Sequence, residues 1–311
     1  MRDIVILGGT RTAIGSFGGS LAGVTPIDLG ATVAKAALSR AQVESEQIGL
    51  VAFGHVINTE PRDMYLSRVA ALQAGISESI PAMNVNRLCG SGLQAIVSVA
   101  QSLMLGDAEF GLAGGSENMS RSPYIMQSQR WGQKMGDVKT LDMMLGALHC
   151  PFGTGHMGVT AENVAKEHAI TRKHQDAFAL ESQKRADYAI KHGHFDKSLI
   201  TVKNDDGSVA LDREEFPRPG TTLESLAGLD TVFDKFMGVP IDETGETFDQ
   251  LVKRAYPDLA INHVHHAGNS SGVVDGAAAL IMSSKEYASA QGWKPRARVR
   301  AIATVGGSPT L

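Results

Sequence analysis

The chain has 311 residues, 43% hydrophobic and 20% charged, with 29 basic and 33 acidic residues spread along it for a net charge of -4. This is the make-up of a globular chain of about two domains, and the dispersed charge excludes the basic stripe that nucleic-acid binding demands. The longest purely apolar runs, such as AAALIM (277–282), fall far short of the roughly 20 residues of a membrane-spanning helix, so a soluble, cytoplasmic protein with no membrane partner is expected. MRDIVILGGT at the amino end carries no small-residue cleavage site and reads as a first strand, not a signal peptide. The two cysteines, Cys89 and Cys150, are too few for a disulfide framework and lie outside any zinc-binding spacing.

In chain order, DIVILG (3–8) predicts a strand, and Thr25 with Pro26 predicts the cap and first residue of an alanine-rich helix running towards Ser39. A second apolar segment, Leu50 to Phe53, precedes a helix with Leu66, Val69, Ala70 and Gln73 on one face, closed by Gly75. PAMNVNR (81–87) is extended in character. The next helix places Leu93, Ile96, Val97, Ala100, Leu103 and Met104 at helical spacing and ends at Gly106, before a strand at Phe110 to Ala113. Such alternation argues for a parallel-rich sheet covered by helices. From Ser120 to about Asp258 the rhythm changes, with clustered Gly, Pro, Asp and Ser and one mostly polar helix from Thr171 to His192, which reads as an inserted subdomain. GAAALIMS (276–283) resumes buried-strand character, a short helix passes through Tyr287, and RARVRAIATV (296–305) alternates like a further strand.

Cys89 lies within NRLCGSG (86–92), between a predicted strand and the start of a helix. That location offers the helix's unpaired N–H groups and positive dipole end, both of which favour a thiolate, and Gly90 and Gly92 permit a tight turn and close approach of a substrate. The competing reading is a small core residue, the commoner fate of a free cysteine. The surrounding pattern shifts the balance. NRLCGSGLQAI resembles the active-site signature of the thiolases, and GGTRTAIGSFGG (8–19), GGSENMS (114–120), HMGVTAENVA (156–165), QDAFALESQKRA (175–186) and HAGNSSGVVDGAA (266–278) agree with that family in order and position.

The resemblance implies an α/β thiolase-like layered fold, a βαβαβαββ half with helices around a mixed sheet and an inserted loop subdomain. Residues 1–119 and 259–290 would form the amino-terminal half, 120–258 the coenzyme-binding insertion, and 291–311 the start of a carboxyl-terminal half. It implies acyl transfer: Cys89 attacks a 3-oxoacyl-CoA, acetyl-CoA leaves, and a second coenzyme A collects the acyl group, or the reverse Claisen condensation joins two acyl-CoA molecules, in fatty acid, ketone body or polyester precursor metabolism. Coenzyme A would be a substrate, with no permanently bound cofactor and no metal, and the assembly a homodimer or homotetramer. His156 and Met157 correspond to coenzyme or acyl contacts, Arg218, Ser225 and Phe233 to positions near the nucleotide and pantetheine, and Ala267 and Ser271 to the loop beside the pantetheine arm. Taken singly, Arg218 between two prolines reads as a solvated loop residue, Phe233 as core and Ser271 as a cap.

The family also carries NEAF, GHP and CxG segments, the second holding the histidine that activates the nucleophile, and none occurs in these residues. The expectation is a piece of a longer enzyme. The alternatives are a truncated thiolase-like module that binds acyl-CoA without full turnover and a purely structural partner subunit. Two further features stand apart. The segment from Phe233 to Ala267 is longer than the family's usual one, and His263 and His265 in NHVHH would share a strand face yet lack a third ligand at zinc spacing. YIMQSQRWGQKMGD (124–137) could serve assembly, unless Trp131 packs inside. GGTRTAIG lacks the GK[ST] ending of a phosphate loop, and Cys150 reads as a packed residue.

Overall fold

The computed structural model describes residues 2–152, 155–240, 245–255, 257–258 and 262–307. They fall into two compact units, one of Met1–Met143, Phe195–Phe216 and Val273–Ala303, the other of Met144–His194, Pro217–Gly272 and Thr304–Leu311.

The first unit is an α/β layer structure. Its elements are β1 (Ile4–Thr12), α1 (Pro26–Ala41), β2 (Ile48–Gly54), α2 (Leu66–Gln73), β3 (Ala82–Val85), α3 (Ser91–Leu105) and β4 (Phe110–Asn118). The chain returns to it with β5 (Leu199–Ile200), β6 (Val274–Ser284), α8 (Lys285–Ala290) and β7 (Ala297–Arg298). The sheet runs β5-β1-β6-β4-β2-β3, with β7 and the short strand Gly15–Ser16 attached to β1 and β6. β2 is parallel to both β3 and β4, whereas β6 is antiparallel to β1 and β4, so the sheet is mixed.

Strand alternation sorts the core onto two faces. Val51, Phe53, Leu112 and Ile281 face a cluster with Leu29, Val33 and Leu66 of α1 and α2; Leu50, Ala52, Ala113 and Met282 face Ala95, Val99 and Leu103 of α3. Each large side chain buried this way contributes about 1.5–3 kcal/mol. Thr25 caps α1 by accepting the Asp28 N–H at 3.1 Å. Phe110 is fully buried, with Tyr287 and Trp293 set edge-on at 5.3 and 5.0 Å, and the Trp293 indole donates to the Ala41 carbonyl, tying the end of α8 to the end of α1.

The mixed layered fold is as expected, but several details differ. On α3 the face against the sheet is Ser91, Ala95, Val99, Ala100 and Leu103, and Leu93 is 68% exposed. On α2 Leu66, Ser67, Ala70 and Ala71 are buried, while Gln73 is exposed. β4 continues through the polar residues to Asn118. Of the strand expected over 296–305 only Ala297–Arg298 pairs, against Ile6 and Val5 on the edge of β1 opposite β6. The window Leu88–Leu105 is apolar enough for a membrane span, but its helix has 15 residues, about 22 Å at 1.5 Å per residue, against a hydrocarbon core of about 30 Å.

The second unit holds α4 (Met157–Glu167), α5 (Arg172–Lys191), α6 (Leu223–Ala227) and α7 (Phe248–Ala255). Thr171 begins α5 through a capping box with His174, and His192 ends it, where the polar helix was read. Val159, Met237, Phe248 and Val252 form its small apolar cluster. Trp131 is 91% exposed, so the packed alternative for it does not hold, and Cys150 is half-buried in a two-residue strand.

Candidate active site

Five residues, Asn86 to Gly90, separate β3 from α3, and Cys89 is exposed at the corner they make. The exposed thiol removes the reading of Cys89 as core. The turn is tight because Leu88 adopts φ 49°, the left-handed region, at a cost of about 1–2 kcal/mol for a residue with a Cβ. Four local bonds hold it there. The Leu88 N–H donates to Asn86 Oδ1 (3.0 Å), the Arg87 N–H to Ser91 Oγ (2.8 Å), and both the Ser91 hydroxyl (2.7 Å) and the Ser91 N–H (2.9 Å) to the Leu88 carbonyl. A strained residue at a strand-to-helix turn is the means by which nucleophiles are lifted clear of a sheet. Beneath the corner, Gly54 ends β2: a Cβ there would lie 2.6 Å from the Gly92 nitrogen, so the amino end of α3 closes onto the sheet only because that side chain is missing.

Polar side chains surround the base of this corner. Glu117, near the end of β4, accepts the N–H of Val56 at 2.9 Å and of Ile57 at 3.0 Å. Burial pushes its carboxyl above the ordinary value of 4.5, and Asp63 adds to the rise, while His55 and the two N–H groups oppose it. His55 is buried; its Nδ1–H donates to the Ser116 carbonyl (2.8 Å), and its Nε2 stands 3.9 Å from Asp63 Oδ2. Asp63 in turn accepts the N–H and hydroxyl of Thr59 at 2.6 and 2.8 Å.

The seven residues matched to coenzyme contacts all belong to the second unit. His156 caps α4, its Nδ1 accepting the Gly158 N–H at 3.0 Å. Burial, then the neighbouring His149, lowers its pKa below 6.5, so the ring is neutral at pH 7 with its hydrogen on Nε2. Phe233 stacks on it at 5.2 Å and occupies the space where Gly158 would carry a Cβ. Met157 is 40% exposed and, of the seven, is the one lining a mostly apolar cavity of about 690 Å³ with Thr160, Val164, Phe178 and His265. Arg218 is exposed in a turn closed by Thr221 (2.7 Å), its own N–H donating to Gln183. Ser225 is exposed, but its hydroxyl completes the capping box of α6 with Thr222. Ala267 and Ser271 are exposed on the turn after the histidine run, and Ser271 caps no helix.

Sequence reasoning missed what builds that turn. His266 is fully buried, donating from Nε2 to Asp176 (2.7 Å) and accepting the Gly268 N–H at Nδ1 (3.0 Å), while Asn269 bridges Asp176 and the Val264 carbonyl. Burial pushes the Asp176 carboxyl up, but His266, Arg172 and Asn269 outweigh it and the net shift is downward. Buried Glu162 accepts the N–H of Val264 and His265, and the Nδ1 atoms of His263 and His265 lie 3.6 and 3.2 Å from it. Its carboxyl, raised by burial, is lowered on balance by His265 and these N–H groups. The shared face expected of His263 and His265 is thus turned towards a carboxylate, from an irregular segment and not a strand. Among the described residues no group of His, Cys, Asp and Glu has metal-holding geometry.

Residues 4–239 match the family described as "Thiolase, N-terminal domain". The chain is 47% identical over 310 residues to beta-ketothiolase BktB of Cupriavidus necator, covering 99% of this chain and 72% of that protein. It is 41% identical over 315 residues to an acetyl-CoA acetyltransferase of the same organism, at 100% and 73% coverage. The crystal structure of the Bacillus anthracis acetyl-CoA acetyltransferase superposes with a TM-score of 0.87 at 34% identity, covering 100% of this chain and 72% of that one. Human mitochondrial 3-ketoacyl-CoA thiolase, in complex with CoA, does so at 0.83 and 34%, covering 96% and 68%. With the family matched over most of its residues and the fold shared throughout, the chain belongs to the thiolase family and is an acyltransferase of the thiolase type.

Proposed function

We propose that Cys89 is the nucleophile of this acyltransferase and that coenzyme A and acyl-CoA are its substrates. The observation carrying this is the exposed thiol on a strained strand-to-helix corner, joined to family membership. In the thiolytic direction the Cys89 sulfur attacks the 3-oxo carbon, forming an S–C bond. The bond between carbons 2 and 3 then breaks, and carbon 2 takes a proton to leave as acetyl-CoA. The acyl-cysteine passes its acyl group to the thiol of a second coenzyme A.

The coenzyme is assigned to the second unit. A neutral His156 offers Nε2–H as a donor, Phe233 an apolar face for the pantetheine arm, and exposed Arg218 a cation for phosphate. Ser225 contributes through its backbone position, since its hydroxyl is engaged in the α6 cap, while Ala267 and Ser271 line the chain's approach. Residues 124–137, with Trp131 and Met135 exposed, suit assembly into a homodimer or homotetramer in the cytoplasm.

The test is steady-state thiolysis of acetoacetyl-CoA with coenzyme A, followed as loss of the substrate's enolate absorbance. Turnover lost by at least about 10³-fold in Cys89→Ala, as when a covalent nucleophile is removed, is the expected result; undiminished turnover in that variant contradicts the reading.

A further inference from the structure

The corner that presents Cys89 is tied to a carboxylate that touches neither the thiol nor its turn directly. The geometry points to Glu117 as a positioning residue for the nucleophile, acting through Asn86. This deepens the assignment of Cys89 as acyl acceptor and rests on it.

The connection runs through one peptide group. Its N–H end, at Ile57, donates to Glu117 Oε1 at 3.0 Å, and its carbonyl end, at Val56, accepts from Asn86 Nδ2 at 3.4 Å. An anion on the N–H polarises the peptide and strengthens the carbonyl as an acceptor. The other atom of the same Asn86 amide, Oδ1, accepts the Leu88 N–H at 3.0 Å and so holds the left-handed residue that turns the chain into Cys89. A second tie runs alongside, from the His55 N–H to the Val85 carbonyl at 3.1 Å. Behind it the His55 ring, 1% exposed, joins β2 to β4 through Ser116 and stands 3.6 Å from Glu117 Oε1.

The acid is required because both of its oxygens accept. Oε2 takes the Val56 N–H while Oε1 takes that of Ile57. A glutamine of the same shape would turn an NH2 group against one of those N–H groups and lose that bond. If Glu117 merely tied β2 to β4, its loss would leave the turn at Leu88 untouched.

The experiment uses the chain with Cys150→Ser, so that Cys89 is the sole thiol, and compares Glu117→Gln, Asn86→Ala and Asn86→Asp. Three rates are read: hydrogen exchange in the peptide Asn86–Ser91, acetyl transfer from acetyl-CoA to Cys89, and alkylation by iodoacetamide, which needs no aimed sulfur. In Glu117→Gln and Asn86→Ala, exchange at Leu88 rises roughly fivefold, as for one lost hydrogen bond, and acetyl transfer falls on the order of ten- to a hundredfold, as for a misplaced reacting group. Alkylation stays within about twofold of the parent because the thiol is exposed already. Asn86→Asp, which keeps the acceptor for Leu88, falls between. Unchanged exchange and acetyl transfer in Glu117→Gln overturn the proposal. So does an equal loss of acetyl transfer and alkylation in the exposed-site variant Asn86→Ala, which would mark a damaged site and not a misaimed sulfur. If the parent takes no acetyl group, the reading of Cys89 is what fails, and exchange at Leu88 then decides the part played by Glu117.

Discussion

Gly54 and Leu88 position Cys89 by opposite means, one through a missing side chain and one through a backbone angle that side chains disfavour. In Gly54→Ala the new methyl meets backbone at 2.6 Å on both the Gly92 nitrogen and the Ser91 carbonyl carbon. The helix end has to move, at a cost of about 1–3 kcal/mol. The expected outcome is a lower urea midpoint together with slowed acetyl transfer to Cys89; full transfer at full stability would show that α3 does not need its present seat. Cys89 itself was legible in the sequence because NRLCGSG puts the thiol, the turn and the helix start within seven residues. Glu117 and His55 were not, although both the Asn86 and Glu117 positions sit inside recognised stretches. Their bonds go to backbone about 60 residues away in sequence, and spacing carries no trace of such contacts. His266 and Asp176, 90 residues apart, were hidden for the same reason.

At the level of elements, local chemistry was the reliable guide. Thr25 and Pro26 announced α1, and the polar stretch from Thr171 to His192 matched α5 with its two caps. Thr25→Ala should therefore lower stability by about 1 kcal/mol, seen as a reduced urea midpoint with acetyl transfer retained; an unchanged midpoint would mean that packing alone fixes the helix start. Phase was less legible than existence. The apolar spacing of α3 gave a helix, but the sheet selects which stripe it buries. Val99 fits over Gly111, where a Cβ would lie only 2.4 Å from its methyl, and that seat turns Leu93 outwards. Residues 296–305 show the same limit: alternation describes a segment fit to pair, but it does not say how much of it finds a partner, and only Arg298 and Ala297 do, on Val5 and Ile6.

Across the whole molecule, the buried carboxylates set how the protein responds to acid. Glu162 and Asp176 are held below their ordinary values of 4.5 and 3.8. Their stabilisation is complete above those values and is lost as pH falls through the lower, folded ones. Glu117 and Asp275, both raised chiefly by burial, have the opposite sign: each favours the fold when protonated and loses that contribution as pH rises through its folded value. The melting temperature should thus fall as the pH drops below 4.5 and then 3.8 and Glu162 and Asp176 take up protons, with Glu117 and Asp275 acting in the opposite sense. Glu162→Gln, which leaves buried N–H groups poorly paired at a cost of about 1–3 kcal/mol, should lower the plateau at pH 7 and flatten the fall. An unchanged acid limb in that variant would remove Glu162 from the account.

The central claim is that Cys89 accepts the acyl group, and intact-protein and peptide mass spectrometry after incubation with acetyl-CoA tests it most directly. The account predicts one acetyl group per chain, on the peptide containing Cys89, removed by added coenzyme A, absent in Cys89→Ala and present in Cys150→Ser. An acetyl group on Cys150 in place of Cys89, or equal labelling of Cys89→Ala, would contradict it.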